Sequence, residues 1–169
     1  MKRVYIFVNG IMTWPGSSKN WNGRAVTWIH THTQQHDVAE KIEYFVSPIG
    51  RPFRQKKRAQ KLARTLSYYQ DWEIVLVGHS NGCDVIADAL ALAGQPPVKA
   101  IHLFSAACKA DFSKNGFNAV TTNQIHIYIA TKDRALRLAG TKIGRLLGYG
   151  VLGKKGPVNQ RPGLVTNTT

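Results

Sequence analysis

Three stretches of this sequence, 73–77, 98–104 and 124–130, are apolar almost without interruption. A strand with one face in water alternates apolar and polar residues, whereas a strand covered on both faces does not. Between and around these stretches lie segments with helical spacing or turn chemistry. Residues 3–8 read as a further strand, 22–33 as a short helix with Asn22 as its cap, and 41–46 as another strand. Over 54–70, Ala59, Leu62, Ala63, Leu66 and Tyr69 fall on one helical face with basic residues opposite. Residues 81–93 form a strong helical run stopped by Gly94 and Pro96-Pro97, and 135–147 reads as a basic amphipathic helix. Residues 109–123 read as mostly loop, and 148–169, rich in Gly, Pro, Asn and Thr, as an irregular tail. Strands alternating with helices predict one α/β domain over 1–169: a mostly parallel central sheet with helices on both faces.

A chain of 169 residues suits one domain. It buries enough surface to fold without a disulfide or metal staple. Two cysteines, Cys83 and Cys108, are too few for a disulfide scaffold and carry no C-x-x-C spacing, so reduced packing thiols are expected. No run reaches the ~18 apolar residues of a membrane span. The opening Met1-Lys2-Arg3 resembles a signal peptide, but Asn9-Gly10 ends the apolar run after five residues, too short for an h-region. The expectation is a soluble, cytoplasmic protein.

The formal net charge is +14, and two segments carry all of it. Residues 51–64 hold Arg51, Arg54, Lys56, Lys57, Arg58, Lys61 and Arg64 with no acid. Residues 134–161 hold a similar excess, from Arg134 to Arg161. Such fields recruit anionic partners, nucleic acid or lipid among them, or simply keep a surface solvated. No aromatic residues interleave the 54–64 run, which favours the solvated face.

Chemistry concentrates at Gly78-His79-Ser80-Asn81-Gly82, a G-x-S-x-G pattern. It follows the apolar run Ile74-Val75-Leu76-Val77 and opens the helix at 81, the strand–elbow–helix setting the pattern requires. A turn that tight brings residues two positions either side of the serine together, so Gly78 and Gly82 leave room. Ser80 is expected in a strained backbone conformation, its hydroxyl projecting from the sheet edge at a helix N-terminus. Two further motifs follow strands: Val8-Asn9-Gly10-Ile11-Met12 after the first, and Thr131-Lys132-Asp133-Arg134 after a late one.

With these residues the chain resembles the α/β-hydrolase superfamily, as a small member without a cap domain. The resemblance implies a serine hydrolase of the esterase or lipase type acting on a small-molecule ester, with no cofactor and no metal. It implies Ser80 as nucleophile, backbone N–H groups of Ile11 and Asn81 as oxyanion donors, and Asp133 as triad acid, with Asp111 as the second candidate. Asn9 stands where the family frequently has His. Asp133 equally suits a helix cap. Trp14-Pro15-Gly16-Ser17-Ser18 either walls the pocket or forms a surface loop.

The family order is Ser, acid, His. All six histidines here, His30, His32, His36, His79, His102 and His126, precede Asp133. The sheet also looks short of the family's last strand, with 163–169 as its approach or opening residues. Three arrangements fit: a shortened form lacking the base, a histidine substituting from elsewhere, or a degenerate hydrolase that binds an anionic partner through its basic segments. Gly148-Tyr149-Gly150-Val151-Leu152-Gly153 matches G-x-G-x-x-G, but a helix precedes it and Gly156-Pro157 follows, the reverse of a phosphate loop.

Overall fold

Side chains along the first strand, β1 (Arg3–Val8), point alternately into two different layers. Val4, Ile6 and Val8 are fully buried in the larger core. Tyr5 and Phe7 face the other way, where Phe7 meets Trp21 edge-on at 5.9 Å. This two-sided burial comes from helices on both faces of one sheet. Helix α1 (Trp21–His32) covers the Tyr5/Phe7 side, and α2 (Arg51–Tyr68) and α3 (Asn81–Ala93) pack together over the other. The computed structural model describes residues 2–11, 14–16, 20–33, 36–45, 47, 50–94, 96–120, 124–159 and 165–168.

The remaining strands are β2 (Val38–Ile42), β3 (Glu73–His79), β4 (Val98–Phe104), β5 (Ile125–Ile129) and β6 (Val165–Thr168). Their order is β2-β1-β3-β4-β5-β6, and every pairing is parallel. The chain begins in the middle of the sheet, steps outward to β2, then crosses β1 and proceeds to the far edge. Connections therefore leave β1 and β3 toward opposite faces, which opens a crevice between their C-terminal ends, where α/β sheets place ligands.

Three expectations need correction. The second strand lies at Val38–Ile42 rather than 41–46, because β1 fixes its register (Val4 opposite Val38, Val8 opposite Ile42); Val46 lies outside the described residues. The basic helix expected over 135–147 is two, α4 (Arg134–Ala139) and α5 (Lys142–Leu146). Thr141 caps the second, its hydroxyl accepting from the Gly144 N–H at 3.2 Å. The described part of the tail, 148–159 and 165–168, is not irregular, and 165–168 forms a sixth strand within the 163–169 segment expected only to approach or open one. Segment 150–156 is laced between the exits of β4 and β5: Gly150 and Gly153 donate to Ala107 and Ala106, and Ala130 donates to the Gly153 carbonyl. A Cβ on Gly153 would sit 2.7 Å from Ser105 Cα, so this glycine-rich run is a packing device. It includes a short helix, α6 (Leu152–Lys155), and the chain then pairs β6 with β5. No helix among the described residues is long and apolar enough to cross a membrane.

Candidate active site

Ser80 sits between β3 and α3 with φ 54° and ψ −122°, outside the basins an L-residue prefers. Holding it there costs on the order of 1–3 kcal/mol, which surrounding bonds must offset. They do so from three directions. The Ser80 N–H donates to Phe104 O at 2.9 Å, and its carbonyl accepts from Cys83 N–H at 3.2 Å and Ala107 N–H at 3.1 Å. The two glycines are sterically required. A Cβ on Gly78 would lie 2.8 Å from Ile86 Cδ1, and one on Gly82 would lie 2.6 Å from Asn9 O and closer still to Val8 O. The bare Gly82 thus lets the exit of β1 cross directly over the first turn of α3. That crossing brings Gly10 against the serine, where an added Cβ would be 3.0 Å from Ser80 Cβ and 3.4 Å from His79 Nδ1. Ile11 follows on the same loop; Met12, Ser17 and Ser18 lie outside the described residues.

The Asn81 N–H opens α3 and is one of the first-turn donors that no intrahelical carbonyl can accept from. Its side chain has a separate task that sequence reasoning missed. Asn81 is fully buried; its Oδ1 accepts from Arg51 Nε, and its Nδ2 donates to Tyr44 Oη at 3.3 Å and Gln55 Oε1 at 3.4 Å. Arg51 also pairs with Asp84 and donates to Leu147 O at 2.7 Å. Burial pushes the Asp84 carboxyl up to about 7, with Arg51 opposing and Asp88 reinforcing. Arg51 is only 4% exposed, so this member of the basic run is not a surface charge. The run of cations concealed it because its acid lies 33 residues on. Ser105, with φ 45°, is a second strained serine, one strand over, which no local pattern announced.

Asp133 lies past β5 at the same end of the sheet and is half-buried. Its Oδ1 accepts from Leu136 N–H at 3.1 Å, so it caps α4. Its charge also reaches His79. Asp111 is committed elsewhere: Oδ1 accepts from Ser113 and from Asn159 Nδ2, and Oδ2 pairs with Lys114. Ser113 and then Asn159 hold its pKa down at about 2.

None of the histidines hydrogen-bonds to Ser80 among the described residues. The late part of α1 and His36 lead into the start of β2, the opposite end of the parallel sheet from the elbow, which removes His30, His32 and His36. His102 and His126 sit mid-strand, stacked on each other at 4.7 Å on the sheet face that carries α1. His79 is beside the elbow, 6.0 Å from Trp21 ring to ring, and burial lowers its pKa against the pull of Asp133. Cys83 and Cys108 are free and buried, and burial raises both thiol pKa values. Among the described residues no cluster of three or more His, Cys, Asp or Glu is placed to hold a metal.

No protein-family model matches the chain, and no curated protein does. A solved structure does: a novel cutinase-like protein from Cryptococcus sp., at TM-score 0.51 and 12% identity, over 99% of this chain and 75% of that one. The fold is of the α/β-hydrolase type. At that identity the likeness speaks for architecture alone, and the site rests on its own geometry.

Proposed function

We propose that the protein is a serine hydrolase acting on carboxylic esters, with Ser80 as nucleophile. The observation that carries this is the Ser80 backbone, a left-handed φ on a non-glycine residue between a buried strand and a helix, with both flanking glycines under steric demand. Such strain is held at functional positions, where the surrounding structure over-determines it.

In this reading Ser80 Oγ attacks the ester carbonyl carbon as its proton passes to a base. The carbonyl oxygen, now negative, is received by the Asn81 N–H, with the Ile11 backbone as second candidate. The bond to the leaving alcohol breaks as the alcohol takes a proton, and water releases the acyl group from Ser80. Asp133 is the proposed acid that would orient the base. The base is the vacant role, because Ser80 Oγ donates to no histidine among the described residues. Turnover by this chain is accordingly expected to be low, resting on binding and the oxyanion donors.

The test is labelling with a fluorophosphonate probe, with hydrolysis of a short p-nitrophenyl ester measured alongside. Wild type should label, slowly, and Ser80→Ala should not. A folded wild-type protein that never labels would overturn the hydrolase reading and leave a fold that has kept the elbow without its chemistry.

A further inference from the structure

The outer flank of α2 and the edge strand β2 enclose a groove. It begins as a cavity of about 430 Å³ lined by Tyr44, Lys57, Arg58, Lys61 and Arg64 among others. A second cavity of about 350 Å³ shares Lys61 and Arg64 and ends at Tyr68 and Tyr69. Lys57, Lys61, Arg64 and Tyr68 are spaced four, three and four residues apart, one stripe on a helix. At 1.5 Å rise per residue that stripe runs about 16 Å.

The charge of this groove is net positive, its cations outnumbering the lining carboxylates Glu40 and Glu43. Lys57, Lys61 and Arg64 are exposed and make no ion pair among the described residues. The two carboxylates nearby are engaged: Glu43 pairs with Lys41, and Glu40 accepts from Tyr69 Oη at 2.8 Å. Arg58 lies 4.2 Å over the Tyr44 ring, and its Nη1 is buried with no hydrogen-bond partner. Arg58 therefore belongs to the floor of the groove, and the cations on offer to a ligand are Lys57, Lys61 and Arg64. At the far end Tyr68 packs edge-on against Tyr69 at 4.8 Å and is still 79% exposed.

We infer that this groove binds single-stranded nucleic acid, its cations following successive phosphates and Tyr68 stacking on a base. The stripe accommodates roughly three to five phosphates, depending on how extended the strand is. Concavity argues for a strand over a bilayer, since a single strand can lie along the groove between α2 and β2 and a flat headgroup layer cannot. The exposed ring argues for bases over an acidic peptide. The 54–64 run lacks aromatic residues in sequence, but the fold sets one exposed ring at its end, Tyr68, the last residue of the helix; Tyr44, from the segment after β2, is buried under Arg58.

The experiment is fluorescence anisotropy of a labelled oligothymidylate of about a dozen nucleotides, titrated over a range of salt. Wild type should bind with a log–log salt slope of about −2 to −3, the value for three to four phosphate contacts on a single strand. The triple variant Lys57→Gln/Lys61→Gln/Arg64→Gln should bind at least about tenfold more weakly and lose about two units of that slope. Tyr68→Ala should weaken binding by about fivefold or more with the slope unchanged, and Tyr68→Phe should restore it. Arg134→Gln/Arg137→Gln/Arg145→Gln, the same charge change elsewhere, and Ser80→Ala should each leave binding within about twofold. Thermal melts confirm that the surface variants fold. Equal losses from the two triple variants, or no effect of Tyr68→Ala, would reduce the interaction to net charge and overturn the proposal. So would phosphatidylserine vesicles competing through the same three cations while the oligonucleotide binds no better than to the triple variant.

Discussion

The elbow end of the sheet and the groove along α2 draw on the same short stretch of sequence and treat it in opposite ways. Arg51 and Lys61 belong to one basic run. Arg51 is buried beneath α3, shared among Asn81, Asp84 and Leu147. Lys61, less than three helical turns on, is exposed and pairs with no acid among the described residues. A cation at the elbow end is structural, holding the first turn of α3 against α2. A cation in the groove is available. Counting charges along a sequence cannot separate the two roles, because what decides is which residues from other elements arrive opposite each side chain.

The largest expected effect tests that separation directly. Arg51→Ala removes the ion-pair partner of the largely buried Asp84, leaving it the Gln55 Nε2 donor at 3.1 Å, and strips the acceptor on Asn81 of its donor. Breaking a buried pair in this way costs about 3–5 kcal/mol. Lys61→Ala should change stability by less than about 0.5 kcal/mol. Urea denaturation of both variants decides the matter; comparable losses would erase the distinction between a structural and an available cation.

A smaller effect sharpens the picture of the elbow itself. Ser80→Gly relieves the left-handed φ, while Ser80→Ala keeps it. Allowing for the entropy of an added glycine, the Gly variant should be more stable than the Ala variant by about 1 kcal/mol, although both lose the nucleophile. Equal melting temperatures would mean that the elbow holds no strain. A gain in stability bought by loss of labelling would show that the Ser80 conformation is retained for reactivity.

These contrasts also explain what was readable beforehand. The strand at 98–104 is legible to the residue because a strand covered on both faces is mostly apolar, broken here only by Lys99 and His102, and that requirement is local. The elbow was legible for a similar reason: Gly78 and Gly82 answer a steric demand made within five residues. The β2 register was misjudged because the position of Val38–Ile42 is set by pairing with β1, some 34 residues earlier. The tail misled further. Its glycines resembled loop composition but are there to let backbone pack on backbone between β4 and β5. Asn81 was read for its amide alone, since nothing in the neighbouring sequence points to Arg51. Local requirements leave a mark in sequence; long-range ones such as the groove, assembled from Tyr44 and α2, do not.

The smallest effect concerns His79, which separates the elbow from the groove by its response to acid. Burial lowers its pKa below the ordinary 6.5, and the pull of Asp133 only partly offsets this. In the unfolded chain the imidazole takes up a proton near pH 6.5; in the folded protein it does so only at lower pH. Unfolding therefore binds a proton as the pH falls below about 6.5, and the stability this group contributes, complete above that value, is lost on the way down. His102 moves the same way, from burial first and then the neighbouring His126. His79→Gln should make the decline in stability between about pH 6.5 and pH 5 shallower, by about 1 kcal/mol or less. Lys57→Gln, in the groove, should leave that limb unchanged, since Lys57 lies on the outer flank of α2, away from the His79 ring beside Trp21. A His79→Gln variant with the wild-type acid limb would place the imbalance elsewhere, with His102 the next residue to replace, and would mean that the site between Trp21 and the Gly10 loop accepts a charged imidazole as readily as water does.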